Sequence, residues 1–403
     1  MTPARASASY RGWLLAPNTR HGVTVQVATK PGILAHGDID VPNQFLADAV
    51  ADLPLPAPGA AALHLASGAG LVPAVAAVRG WQVTAVDRYF PHVEATRRTL
   101  DATSPESHAA MHHATAIGDR VPPASQALVT LRIPVDKRSA QVAVAEAFTA
   151  LEVGGLFLVA GANDEGIKPL AKYLAQWFGL VHVDRQGGSC RLLRAHKLAA
   201  APADPAVSNP RWRDPDAWHE LATTVGGESL TLVSRPGMFS WEHLDEATAL
   251  LADVMPVRAG DRVLDLGCGA GALGLVAARR VGPEGHVVCL DADADAVRAA
   301  IHGAARNGIT NLTAQASDAG EAAEPASFDL VVTNPPFHVG KGTDLSVPSA
   351  FIDDAWTALR PGGQLALVAN RTLPYERLIA DRFGAVHTLH DGRRFKVLGA
   401  TRA

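Results

Sequence analysis

Cysteine is scarce. Cys190, Cys268 and Cys289 are the only three in 403 residues, too few and too scattered for a disulfide framework or a zinc site. A reducing, cytoplasmic setting is expected, and no metal. No apolar stretch reaches the length of a membrane span, because Gly, Pro or charge interrupts every rich segment. Met1 to Tyr10 has no apolar core of signal-peptide length. Strong charge of one sign is missing too. The formal net charge of -4 argues against a large nucleic-acid surface. That average hides an asymmetry: residues 1–200 hold 18 Lys/Arg against 15 Asp/Glu, and residues 201–403 hold 18 against 25. Any polyanion would lean on the first half. What the chain has is apolar residues, 48% of the total, enough for two domains with separate cores.

The most informative stretch is Asn334-Pro335-Pro336-Phe337. It follows Phe328-Asp329-Leu330-Val331-Val332-Thr333, which reads as a buried parallel strand. Two prolines stop the ladder, since neither donates an N–H. Pro335 also biases Asn334 toward an extended backbone. The asparagine is thereby held at a strand's carboxyl edge, where open α/β sheets bind ligands. The four residues resemble the signature of S-adenosylmethionine (SAM) methyltransferases that modify exocyclic or amide nitrogens.

The chain also reads as one pattern written twice. Ala62-Leu63-His64-Leu65-Ala66-Ser67-Gly68-Ala69-Gly70 lines up with Val263-Leu264-Asp265-Leu266-Gly267-Cys268-Gly269-Ala270-Gly271. Val83-Thr84-Ala85-Val86-Asp87 matches Val287-Val288-Cys289-Leu290-Asp291, and Phe178-Gly179 matches Phe383-Gly384. The Pro/Ala-rich run from Ala199 to Pro210 reads as a linker. The expected organisation is therefore a degenerate methyltransferase-like domain over 1–198, a linker over 199–210 and a catalytic domain over 211–403. Alternating strands and helices make the fold class α/β: two tandem, doubly wound, Rossmann-like class I methyltransferase domains. In the second copy, strands are expected near 262–266, 286–290, 311–315, 328–333, 364–369 and 394–399. Helices are expected near 243–255, 272–281, 293–307, 349–360 and 374–382.

The second copy carries the cofactor chemistry. Gly267, Cys268, Gly269 and Gly271 form a turn through which backbone amides can approach a ligand. The glycine spacing misses the dinucleotide fingerprint, whose third glycine would fall at Ala272. Asp265 before the turn suits a sulfonium ligand bearing an amino group better than a pyrophosphate. Asp291, at the end of the next strand, can accept ribose hydroxyls. Asp318, after the third strand, can take an adenine amino group. Asn334 borders the same cleft. The first copy lacks this set: His64 replaces Asp265, Ala66 replaces Gly267 and Arg132 stands opposite Asn334. Arg132, Lys137 and Arg138 form a small basic cluster open to two readings, a solvated face or a contact with phosphate.

An exocyclic amine is a poor nucleophile, so positioning must supply much of the catalysis. Hydrogen bonds from its N–H groups to the Asn334 side-chain oxygen and the Pro335 carbonyl would fix its orientation. Phe337 would stack on a base, an interaction worth roughly 1–3 kcal/mol, and offset the cost of flipping it out.

At a larger scale the chain resembles bacterial ribosomal RNA guanine-N2 methyltransferases of the RsmC/RlmG type. The resemblance rests on Arg235-Pro236-Gly237-Met238-Phe239-Ser240 ahead of Leu244-Asp245, the glycine turn, Asn334 through Lys341, Val368-Ala369-Asn370-Arg371 and Phe395-Lys396-Val397-Leu398. It implies SAM as cofactor and methylation of a guanine exocyclic amine in rRNA, with 16S small-subunit rRNA the expected partner. It also implies a first domain that helps folding or RNA contact. Phe239, His338, Lys341, Arg371 and Arg132 are the candidate substrate contacts. Adenine-amine and protein-glutamine methyltransferases share the Asn-Pro-Pro-aromatic loop and stay as alternatives. A non-catalytic RNA-binding assembly module is a remoter one. A monomer is expected.

Overall fold

The repeat in the sequence is a repeat of topology. A computed structural model describes residues 10–34, 36, 40–336 and 345–403. The chain divides into two compact units between Ala217 and Trp218. The first holds β1 (Leu14–Arg20), β2 (Val23–Thr29), α1 (Val41–Asp52), β3 (Ala61–Leu65), α2 (Leu71–Val78), β4 (Gln82–Asp87), α3 (Phe90–Thr103), β5 (Ala110–His113), β6 (Gln126–Arg132), α4 (Lys137–Ala150), β7 (Leu151–Ala162), α5 (Ile167–Phe178), β8 (Val181–Gly187) and β9 (Cys190–His196). The second repeats that order with β10 (His219–Val225), β11 (Glu228–Ser234), α6 (Glu246–Val254), β12 (Arg262–Leu266), α7 (Ala272–Val281), β13 (His286–Asp291), α8 (Ala294–Arg306), β14 (Leu312–Ala316), β15 (Phe328–Thr333), α9 (Ser346–Ala358), β16 (Leu359–Asn370), α10 (Tyr375–Phe383), β17 (His387–Asp391) and β18 (Phe395–Thr401).

Each unit has one seven-stranded sheet and one two-stranded hairpin. The sheet orders are β5-β4-β3-β6-β7-β9-β8 and β14-β13-β12-β15-β16-β18-β17. Five strands run parallel, and β9 or β18 enters antiparallel. The direction of strand addition reverses between β12 and β15. With right-handed crossovers, that reversal sends the helices to both faces. It also opens a crevice at the carboxyl ends of β12 and β15, the usual ligand position in such sheets. Thr333 closes the base of that crevice, donating from Oγ1 to the Leu266 carbonyl at 2.7 Å.

Local sequence explains the elements. Four of the five residues of β12 are buried, as a strand covered on both faces requires. On α8, Ala296, Ala299, Ala300, Gly303 and Ala304 are buried at helical spacing, and Asp293 caps the start by accepting from the Asp295 N–H. Gly179 and Gly384 terminate α5 and α10 with positive φ.

Three strands of the second unit were not expected from the sequence: β10, β11 and β17. The β10–β11 hairpin turns through Gly226 and Gly227 at φ 57° and 78°, the signature of a type I′ turn. Its flanking residues alternate, which is the signal that could have found it. The second-copy helix expected over 349–360 is shifted, because β16 begins at Leu359 and absorbs Pro361-Gly362-Gly363. The Ala199–Pro210 stretch is fastened to the first unit. Ala203 and Asp204 donate backbone N–H groups to Trp177 and Gln176, and Val207 packs into the core. Among the described residues, no helix is long and apolar enough to cross a membrane.

Candidate active site at the sheet switch point

The turn after β12 is built by three glycines with positive φ: Gly267 at 75°, Gly269 at 53° and Gly271 at 77°. Neighbours forbid a side chain at two of them as well. A Cβ on Gly267 would lie 2.9 Å from the Phe351 ring, and one on Gly271 would lie 3.1 Å from Ala300. Cys268 is buried and belongs to the core of the unit. Contact with the Cys289 thiol and burial push the Cys268 thiol well up. This residue therefore meets a ligand through its backbone, if at all.

Asp265 is fully buried. Its Oδ2 accepts the Gly274 N–H at 2.8 Å, while Oδ1 has no partner among the described residues. Burial raises its pKa to about 7, and the nearby Asp291 charge adds to the rise. A buried, unpaired carboxylate oxygen is costly unless something completes it. A ligand ammonium would do so. Gly274 was missed in the sequence. It must be glycine because a Cβ there would lie 2.5 Å from the Cys289 sulfur.

Asp291 at the end of β13 holds the turn. Its Oδ2 accepts the Gly269 N–H at 2.8 Å and its Oδ1 accepts the Asp293 N–H at 2.9 Å. It stays partly exposed at the edge of the turn. Asp318 follows β14 and is buried.

Asn334 leaves β15 at the other side of the crevice. Its Nδ2 donates to Asp245 Oδ2 at 3.0 Å and to Thr248 Oγ1 at 3.0 Å. A carboxylate only accepts, so the amide nitrogen must face Asp245. The side-chain oxygen has no partner among the described residues. Pro335 is buried and Pro336 exposed. Asp245 and Thr248 were not singled out as site residues in the sequence, although Asp-x-x-Thr before an apolar run is a helix-start pattern. Asp245 does cap α6.

The outer candidates divide. Phe239 is 65% exposed, next to Met238, which packs with Ala296, Ala299 and Ala270 beside the glycine turn. An exposed ring is thereby anchored close to the crevice. Arg371 is half-exposed, with its guanidinium on Asp391 and on the Gly392 carbonyl at 2.7 Å. Phe337, His338 and Lys341 lie outside the described residues. Arg132 is a correction. It is buried, bonded to both oxygens of Glu165 at 2.7 Å and to Asp40 at 3.2 Å. Burial disfavours its charge, but the two carboxylates outweigh burial and raise its pKa. Its charge is spent internally, so the phosphate reading fails. Lys396 is likewise buried, on the Glu376 carboxylate at 2.6 Å. Among the described residues, no His/Cys/Asp/Glu group has metal-site geometry.

The family described as Methyltransferase small domain matches residues 229–399, the unit that holds the crevice. A ribosomal RNA small subunit methyltransferase C from Hahella chejuensis is 37% identical over 245 residues, which is 60% of this chain and 68% of that protein. One from Pseudomonas aeruginosa is 34% identical over 284 residues, 70% of this chain and 82% of that protein. The structure of T. thermophilus RsmC, a 16S rRNA N2 methyltransferase in complex with AdoMet and guanosine, superimposes with a TM-score of 0.78. It is 30% identical and covers 97% of this chain and 98% of its own. With relatives matched over most of their length and a tandem fold matched end to end, the chain belongs to the ribosomal RNA small subunit methyltransferase C family and is a SAM-dependent methyltransferase.

Proposed function

We infer that this enzyme methylates the exocyclic N2 of a guanine in small-subunit ribosomal RNA. The carrying observation is Asn334: its amide nitrogen is tied to Asp245 and Thr248, and its oxygen is left to accept at the switch point. Bound SAM supplies an electrophilic methyl group on a sulfonium.

The residues of this chain would do the rest. Asp265 offers its unpaired Oδ1 to the cofactor's amino group, and Asp291 offers lone pairs to ribose hydroxyls. Asp318 borders the adenine. Gly267, Cys268, Gly269 and Gly271 contribute backbone and leave room. Asn334 Oδ1 and the Pro335 carbonyl accept the two N–H groups of the guanine amine and hold its nitrogen in line. Such positioning is worth several orders of magnitude in rate. No strong base is required, because the methylated nitrogen becomes acidic and loses its proton to water. Phe337 stacks on the base, with exposed Phe239 as a second ring at the rim. His338, Lys341 and Arg371 are the candidate RNA contacts, and the first unit serves folding or RNA holding without a cofactor.

Small ribosomal subunits from a strain lacking the protein, incubated with the enzyme and labelled SAM, should gain one N2-methylguanine on nuclease digestion and mass spectrometry. Asn334→Ala should lower turnover at least about 100-fold and leave SAM affinity unchanged, since no ground-state cofactor contact is lost. Label on an adenine or a protein glutamine, or near-normal turnover in that variant, would overturn the reading.

A further inference from the structure

Asn334 must be more than present; it must be held. Its amide could rotate by half a turn and offer N–H groups to a substrate that also offers N–H groups. The structure blocks that rotation. Thr248 Oγ1 donates to Asp245 Oδ2 at 3.0 Å, and Asn334 Nδ2 donates to both of them, closing a ring of three side chains. Both amide hydrogens are thereby used. Donation to a carboxylate also polarises the amide and strengthens its oxygen as an acceptor, because chained hydrogen bonds reinforce one another.

The ring is anchored in the backbone. Asp245 is the N-cap of α6, with Oδ2 accepting the Thr248 N–H at 2.8 Å. Helix start and strand end are thus joined at one carboxylate oxygen. The first unit repeats the contact with a different partner. Asp40 occupies the N-cap position of α1 and its carboxylate takes Arg132, the residue that stands where Asn334 does. The acid–strand-end contact belongs to the fold, but only the second unit presents an amide with a spare oxygen.

We propose that Asp245, with Thr248, is a positioning residue for methyl transfer, orienting and polarising Asn334. The proposal rests on the guanine-N2 reading of the site. It acts through Asn334 and touches neither cofactor nor substrate.

The helix cap and the hold on Asn334 can be separated. Serine is as good an N-cap as aspartate, yet too short to reach Asn334. Asp245→Ser should therefore keep the melting temperature and SAM affinity while kcat falls roughly 10- to 100-fold. Asp245→Asn keeps the reach with a neutral acceptor and should recover part of the loss. Thr248→Val should lower kcat less than Asp245→Ser. Wild-type kcat in Asp245→Ser, with N2-methylguanine as product, overturns the proposal and leaves the function intact. So does a kcat loss that tracks a fall in melting temperature or in SAM affinity. Absence of N2-methylguanine from the wild-type reaction overturns the function and the proposal together.

Discussion

At the strand end where the second unit sets Asn334, the first sets Arg132, and the turn after the neighbouring strand is built alike in both. Gly68 and Gly269 both donate to the aspartate that ends the next strand, Asp87 at 2.9 Å and Asp291 at 2.8 Å. Ala66 and Gly267 both donate to the carbonyl of that strand, Val86 or Leu290, at 2.9 and 2.8 Å. Ala66 even keeps the glycine conformation, at φ 58° against 75°. What differs is which polar atoms are left over. Asp87 takes the Tyr89 N–H as Asp291 takes the Asp293 N–H, but it also meets the His92 ring and is buried. His64, in the place of Asp265, is pushed by burial down to about 3 and is neutral at pH 7. The connection after β15 spans 334–345, whereas only 133–136 follow β6. The first unit keeps the topology of the second without Asp265 or Asn334, since backbone bonds and apolar burial hold it. The function proposed above draws on two acceptors that have no partner among the described residues, Asp265 Oδ1 and Asn334 Oδ1.

That contrast can be broken at three points. Arg132→Ala removes the one cation between Asp40 and Glu165. It should cost the first unit about 3–5 kcal/mol in chemical unfolding, the usual penalty for orphaning buried charge, while SAM affinity is unchanged. A loss below about 1 kcal/mol would mean the triad is not holding the unit.

The Asp265 carboxyl tests the cofactor side. Its folded pKa, about 7, lies above the ordinary aspartate value of 3.8. In the ligand-free protein its favourable contribution is therefore present below 3.8 and lost as pH rises to about 7. A bound ammonium reverses the preference, because it favours the ionised form. SAM affinity should fall as pH drops below 7, approaching about tenfold per unit. Asp265→Asn should bind weakly with no such slope. Calorimetry between pH 5.5 and 7.5 decides, and parallel profiles would remove Asp265 from the cofactor site.

The smallest effect concerns Ala66. Left-handed backbone costs a residue with a Cβ about 1–2 kcal/mol, so Ala66→Gly should stabilise the first unit by about 1 kcal/mol without conferring SAM binding on it. Destabilisation would show that the alanine methyl packs better than the strain it carries.

Strand and helix periodicity were legible wherever a single face or a fully buried run dominated, as at β12, β15 and α8. The strands of the β10–β11 hairpin escaped because β10 alternates exposed and half-buried residues of mixed chemistry and β11 carries polar residues within its apolar run. The glycine turn, Asp265, Asp291 and Asn334 were legible because each sits at a fixed offset from a strand end, and strand ends can be counted along a chain. Arg132 was misread for a related reason. A cation at a strand end looks solvent-facing in one dimension, and its partners Asp40 and Glu165 lie 92 and 33 residues away.

Local pattern was therefore enough for the duplication, the parallel sheets, the glycine turn after β12 and the amide at the end of β15, since these depend on residues close in sequence. Charge pairing was not. Whether Arg132 is free, whether Asp265 keeps an empty lone pair and which way the Asn334 amide faces depend on groups brought together from distant segments. Hydrogen-bond accounting closes only once those segments are folded against one another.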